Sequence, residues 1–281
     1  MYCTAKGLTL LCFIYLSSVF YNGVFLYAQP KDFSYGIYGG VNFSKPVLAN
    51  TYDVLSQAGY GIPGSKNYSG LFANYGFQAG GIGYLKLTEN IAVAVLPGLW
   101  NYRYYYQFEN QWVDNTTIQT SDYNISNRLW GISLPVQGYY VFNPDNKLQL
   151  FATAGGKYDF LFNGLKRGKY AETTTVNGLE TGTYNESFKS RSNRMFKRSN
   201  FQNLLGLGVS YQFESYTLSA EVDFLKGWNV ITKPANRYSD PQNLYTHPDI
   251  QDDIKLNNLV VNVALLYKLF KAPKKLKCVT P

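Results

Sequence analysis

Residues 128–161 read RLWGISLPVQGYYVFNPDNKLQLFATAGGKYDFL, and their alternation decides the fold. In the first half, Leu134, Val136, Gly138 and Tyr140 share one face, opposite Ser133, Pro135, Gln137 and Tyr139. In the second half, Leu150, Ala152, Ala154, Gly156, Tyr158 and Phe160 share one face, opposite Gln149, Thr153, Lys157 and Asp159. A side-chain period of two is that of a β-strand. Between the halves, Asn143-Pro144-Asp145-Asn146 is made of the residues that tight turns need. The stretch therefore predicts a hairpin of two strands, Arg128–Phe142 and Leu148–Leu161. Globular strands average about 5–6 residues, whereas a tilted strand crossing a bilayer needs about 9–11. These two are long enough to cross.

Six more strands follow from the same pattern: Ser34–Phe43, Tyr75–Leu87, Ile91–Tyr106, Phe201–Phe213, Tyr216–Leu225 and Asn258–Phe270. The third, Ile91–Tyr106, alternates poorly because both of its faces look apolar. Turns of a few residues, at Thr88-Glu89-Asn90, Asn143–Asn146 and Glu214-Ser215, join strands 2–3, 4–5 and 6–7. The other connections, 44–74, 107–127, 163–199 and 229–257, are long. Short turns at one end and long loops at the other are the asymmetry of outer-membrane barrels. The expected fold is all-β: an eight-stranded antiparallel up-and-down transmembrane β-barrel, with short periplasmic turns and long extracellular loops. Two loops carry hairpin signals, Tyr170–Val176 and Leu179–Phe188 around Asn177-Gly178, and Tyr102–Phe108 and Trp112–Ile118 around Glu109-Asn110-Gln111. Pro97 and Pro135 each remove one ladder bond and are expected to mark bulges.

A soluble periplasmic ligand-binding barrel would alternate too, but with its apolar face inside. Aromatics near the strand ends favour the membrane version, as an interfacial girdle: Tyr35, Trp100, Tyr102, Trp130, Tyr140, Tyr211, Tyr216, Trp228 and Tyr267. The face opposite the apolar one carries Lys86, Lys157, Asp159, Glu221, Asp223 and Lys268. Three Lys and three carboxylates are expected to pair within a closed lumen, because an unpaired charge there would cost several kcal/mol.

Three domains are expected. Residues 1–28 have the layout of a secretory signal peptide, with Lys6, an apolar Leu8–Phe20 and Leu26-Tyr27-Ala28 before Gln29. Residues 29–270 form the barrel, and 271–281 a basic tail. Beyond Ala28 no apolar run is long enough for a membrane helix, and only Cys278 remains of the three cysteines, so no intramolecular disulfide forms in the mature chain. The net charge of +8 is concentrated. Residues 163–199 hold eight Lys/Arg against three Glu, and the tail holds four Lys. For an exported chain this excludes nucleic acid as a partner and leaves two readings of 163–199: a plain solvated loop, or contact with anionic surface glycans or phosphates. Outer-membrane lipid and other envelope or secretion proteins are the remaining expected partners.

No catalytic set is legible. His247 is the lone histidine, no Ser sits in a nucleophile elbow, and Asp249, Asp252 and Asp253 lack the spacing of a calcium loop. Gly80-Gly81-Ile82-Gly83 lies within a strand and not at a helix start, so it is no phosphate cradle. Catalytic, cofactor and metal sites are therefore expected to be none.

With the strands placed, the sequence resembles the PorT-like outer-membrane β-barrel proteins of Bacteroidetes-type bacteria. The resemblance rests on 35–44 (YGIYGGVNFS), on Val95-Leu96-Pro97-Gly98-Leu99 with its mid-strand proline, on Leu134-Pro135-Val136 with Tyr139–Phe142, on 205–213 (LGLGVSYQF), and on the Ala28-Gln29 boundary. It covers Gln29 to Phe270. The chain departs from that pattern in its long loops and in its basic tail. The resemblance implies an outer-membrane barrel without assigned chemistry: a structural or interaction protein, or an accessory of a type IX-like protein secretion system. Any specific activity is expected in the four long loops.

Overall fold

A computed structural model describes residues 33–52, 61–62, 66–237 and 250–269. Residues 1–28, His247, Phe270, the tail 271–281 and Cys278 lie outside the described residues. The described residues form twelve strands: β1 (Phe33–Asn50), β2 (Gly61–Ile62), β3 (Asn67–Tyr68), β4 (Tyr75–Lys86), β5 (Ile91–Val95), β6 (Gly98–Asp114), β7 (Thr117–Val141), β8 (Leu148–Val176), β9 (Leu179–Arg191), β10 (Ser199–Gln212), β11 (Tyr216–Gly227) and β12 (Asp253–Lys268). The expected eight staves are all present. The third is divided into β5 and β6, and β2, β3 and β9 belong to the extracellular connections. Every stave pairs antiparallel with its sequence neighbour, and β12 closes the ring against β1 from Tyr35↔Tyr267 to Leu48↔Ile254. Closure removes the sheet edges, the requirement for backbone in lipid.

Alternation along every stave separates two faces. Ile37, Leu134, Leu205, Leu207, Val263 and Leu265 point outward and are exposed, Ile37 to 68%. A water-soluble surface does not carry an apolar belt of that extent, so the soluble ligand-binding reading is overturned: the apolar face is outside, against lipid. Several staves also run past the expected ends. β7 has 25 residues and β8 has 29, far more than a crossing takes. The surplus projects beyond the membrane as hairpins. At the tip of the β8–β9 hairpin, Asn177 (φ 50) and Gly178 (φ 79) form the expected two-residue turn. The other expected hairpin is corrected. The chain does not turn at Glu109–Gln111 but at Asn115 (φ 47), and β6 and β7 stay in register from Gly98↔Ser133 to Asp114↔Thr117.

The prolines are also corrected. Across the β5–β6 break, Val95↔Val136 and Gly98↔Ser133 keep one register, so neither Pro97 nor Pro135 marks a bulge. Leu96 N–H donates to Pro135 O (3.0 Å), but Pro135 has no N–H to return. The Tyr38 hydroxyl, from inside the barrel, donates to Leu96 O instead (3.1 Å). Gly98 makes room for it, since a Cβ there would stand 2.3 Å from Tyr38 Oη. The bulge in the wall lies elsewhere. Trp130 pairs with Asn163 and Gly131 with Leu161, leaving Phe162 as the extra residue. It inverts the facing of β8. Below it Lys157, Asp159 and Leu161 point inward, whereas above it Gly164, Lys166 and Gly168 do.

Candidate functional site

The inward face is filled in three layers. Nearest the periplasm, Tyr38, Ile82, Ala92, Ala94, Leu96, Tyr139, Val141, Phe151, Ala264 and Leu266 pack into one apolar cluster. Toward the outside, β6 contributes every second residue to an aromatic column of Trp100, Tyr102, Tyr104, Tyr106 and Phe108. Trp100 stacks on Tyr102 at 4.2 Å, and Phe108 on Tyr123 at 4.6 Å. Met195, Phe196, Ile231, Ile254 and Leu256 close over this column. This explains the poor alternation of the third strand: both faces are apolar, one toward lipid and one toward the plug.

Between the plugs lies a polar layer to which all eight staves contribute. Lys157 donates to Tyr102 Oη (2.8 Å) and Gln78 Oε1 (3.1 Å), and its ammonium stands 3.8 Å from Asp159 Oδ1. Gln202 Nε2 donates to Asp159 Oδ2 (2.7 Å), and Asn258 Nδ2 to Gln202 Oε1 (3.1 Å). Ser44 donates to Asn258 Oδ1 (2.6 Å). On the other side, Glu221 accepts from Tyr139 Oη (3.2 Å) and Asn262 Nδ2 (3.1 Å), and Asp223 from Thr153 Oγ1 (3.0 Å). Gln78 Nε2, donating to Asn262 Oδ1 (2.8 Å), joins the two halves. Side-chain hydrogen bonds thus connect this layer across the barrel.

Of the six expected lumen charges, all face inward, but they do not form three pairs. Lys157 and Asp159 are the one close pair. Glu221 and Asp223 are held by neutral donors. Lys86 and Lys268 sit together at the periplasmic rim, flanking Ser34, which pairs with both Tyr84 and Lys268. Lys268 there donates to Gln212 Oε1 (3.3 Å) and Phe213 O (3.3 Å). Strand ends are wetted, so their ammoniums need no carboxylate. The expectation of three paired Lys and three carboxylates is corrected to one buried pair and two rim lysines.

The girdle is also revised. Tyr35, Tyr140, Tyr211, Tyr216, Trp228 and Tyr267 are exposed on the outer face, and Trp130 is half-buried there, edge-on to Phe77 at 5.2 Å. Trp100 and Tyr102 do not belong to it. Both point inward and are buried, and Trp100 Nε1 donates to Ile132 O (3.0 Å).

At the extracellular mouth, two carboxylates tie the loops together. Asp252 accepts from Tyr52 N (2.8 Å) and Tyr68 Oη (2.7 Å) and pairs with Lys66 at 3.4 Å. Lys66 also donates to Ile250 O. Asp253 accepts two bonds of 2.6 Å from Arg237 Nη2 and one each from Asn50 (3.0 Å) and Tyr52 Oη (3.2 Å). Burial pushes its carboxyl up, but these donors outweigh that and hold it below the usual Asp value. Both aspartates are thus engaged by cations of the chain itself. Nothing in the sequence signalled this latch, because Asn50 and Tyr52 lie about 200 residues from the two aspartates and meet them only when β12 closes on β1.

Residues 27–232 match the family described as outer membrane protein beta-barrel domain, about three-quarters of the chain. No curated protein matches. Among solved structures, the chain is similar to the N-terminal β-barrel domain of Pseudomonas aeruginosa OprF, at 13% identity and a TM-score of 0.31, covering 83% of this chain and 98% of that one. It is similar to P. aeruginosa OprG at 13% identity and 0.36, covering 86% and 98%. Ail of Yersinia pestis matches at 11% and 0.24, covering 84% and 99%.

Proposed function

We propose that this chain, which belongs to the outer membrane protein beta-barrel domain family, is a sealed structural or interaction protein of the outer membrane that meets its partners through its extracellular surface. The observation that carries this reading is the filling of the lumen, where two apolar plugs enclose a cross-linked polar layer. Eight staves leave an interior that side chains fill. The reading assigns the protein no catalytic step and no cofactor. Its partners are outer-membrane lipid, other envelope proteins, and anionic surface glycans facing the basic stretch 163–199. Planar-bilayer recordings of the purified protein test it. No stable conductance is expected, and a steady open channel would end the reading.

The same proposal includes export through a signal peptide cleaved after Ala28, with residues 271–281 as a basic tail. Amino-terminal sequencing of protein taken from outer membranes should begin at Gln29; a start at Met1 would refute the cleavage. A second reading, accessory to a type IX-like secretion system, rests on the PorT-like stretches quoted above. It is favoured by the paired β7–β8–β9 projection, which offers a sheet surface for docking beyond the membrane. Unchanged cargo secretion after deletion of the gene would remove it.

A further inference from the structure

The outer wall carries a cationic groove at the level where β6, β7 and β8 leave the membrane and β9 joins them. Arg103 of β6 lies directly opposite Arg128 of β7. One step higher, Ser126, Arg167 and Lys189 line up across β7, β8 and β9, and above them Asn124 faces Lys169. These five cations line one depression of about 570 Å³. Like charges directly opposite on a sheet are destabilising, and here they recur over four strands. Arg103 is steadied by Asn101 Oδ1 (3.3 Å) and by the Tyr75 ring. Among the described residues, no carboxylate pairs with any of the five. The next outward carboxylates, Glu109 and Asp122, stand opposite each other beyond Asn124 and Gln107.

Position sets the ligand class. Arg128 is the next outward residue above Trp130, whose half-buried ring is where an interfacial aromatic sits. Below Trp130 the outward face continues as Ile132, Leu134 and Val136, all exposed to lipid. The groove therefore opens sideways, at the height of the outer-leaflet headgroups, and not upward into solvent. Arginine forks match phosphate geometry, and Asn124 and Ser126 add neutral donors. The Phe162 bulge is what delivers two of the cations. Without its change of facing, Arg167 and Lys169 would point into the aromatic plug.

We propose that this groove binds the phosphate groups of a phosphorylated lipid of the outer leaflet, with its acyl chains lying against the belt below Trp130. The test uses purified full-length protein in detergent micelles, titrated with bisphosphorylated lipid A and with its dephosphorylated form. Bisphosphorylated lipid should bind and the dephosphorylated form should bind far more weakly. Arg103→Gln, Arg128→Gln and Arg167→Gln should each weaken binding by about tenfold, or ~1.4 kcal/mol. Lys45→Gln, Lys226→Gln and Lys255→Gln remove outward cations from the far wall and should leave binding unchanged. If the triple Gln variant does not fold, the triple Arg→Lys variant substitutes; it keeps the charge but loses the forks and should bind more weakly than the parent. Equal binding of the two lipids, parent-like binding by the arginine variants, or equal loss in the far-wall control would each overturn the proposal. Displacement of the lipid by inorganic phosphate at matched phosphate concentration would also overturn it, assigning the groove to a free anion. Each of these results is independent of the conductance measurement that tests the sealed-barrel reading.

Discussion

At the scale of residues, a proline in a closed stave creates a problem that one tyrosine solves. Pro135 cannot donate to Leu96 O, and no strand edge is available to expose that carbonyl to water. The Tyr38 hydroxyl takes the donor's place across the lumen. Tyr38→Phe should therefore leave a buried carbonyl without a donor and cost about 1–3 kcal/mol. Urea unfolding of the protein in lipid vesicles measures this, and an unchanged midpoint would show that Leu96 O is served otherwise. A larger effect is expected in the middle layer. Lys157→Met strands Asp159 beside Tyr102 and Gln202 and should cost about 3–5 kcal/mol, with Lys157→Met/Asp159→Leu recovering a large part. If the double variant is no better than the single, the pair is not the origin of the cost. The inward location of Lys157, Asp159, Glu221 and Asp223 was legible from period two alone. Their partners were not, because those partners come from staves distant in sequence. The split between one buried pair and two rim lysines depends on height along the barrel, which alternation does not encode.

At the scale of elements, stave centres were legible and stave ends were not. Leu148–Leu161 ends, as read from sequence, where the observed strand changes facing at Phe162, because the period-two pattern slips by one there. β8 nevertheless resumes pairing with β7 at Asn163 and continues to Val176. The Asn177-Gly178 turn was readable because both of its residues need positive φ, which Asn and Gly tolerate. Gly178→Val should then cost about 1–2 kcal/mol at the tip. Faster hydrogen exchange confined to 170–188 is expected, with the staves still protected; uniform exchange across the barrel would contradict so local a role. The latch at the mouth predicts a pH response. The Asp253 carboxyl is held below its usual value, so its contribution is complete above the ordinary Asp value of about 3.9. It is lost as pH falls through the depressed folded value. Pepsin should therefore open the 231–253 connection only in strong acid. Asp253→Asn, which breaks the Arg237 fork, should expose Arg237 to trypsin at neutral pH, and cleavage no faster than in the parent would sink the latch.

At the scale of the whole molecule, closure in the membrane plane and closure of the lumen are separate achievements. The first follows from the β1–β12 ladder, and the second from what fills the ring. The aromatic column on β6 was the least legible part, since the lower half of the same stave, Ile91 to Leu99, is apolar on both faces and hides the change to alternation above it. Only the pairing of β6 with both β4 and β7 fixes which set faces in. Because the three layers are stacked in series, opening one should not open the path. Tyr139→Ala with Phe151→Ala thins the periplasmic plug at a cost of about 3–5 kcal/mol for each aromatic. The rest of the polar layer and the Trp100–Phe108 column remain, so planar-bilayer current should stay at baseline. Combining those changes with Tyr102→Ala, Tyr104→Ala and Gln78→Ala removes side chains at every level and should produce a conductance in whatever fraction still folds. A current from the periplasmic variant alone would mean that a single plug, and not the series of three, holds the barrel closed.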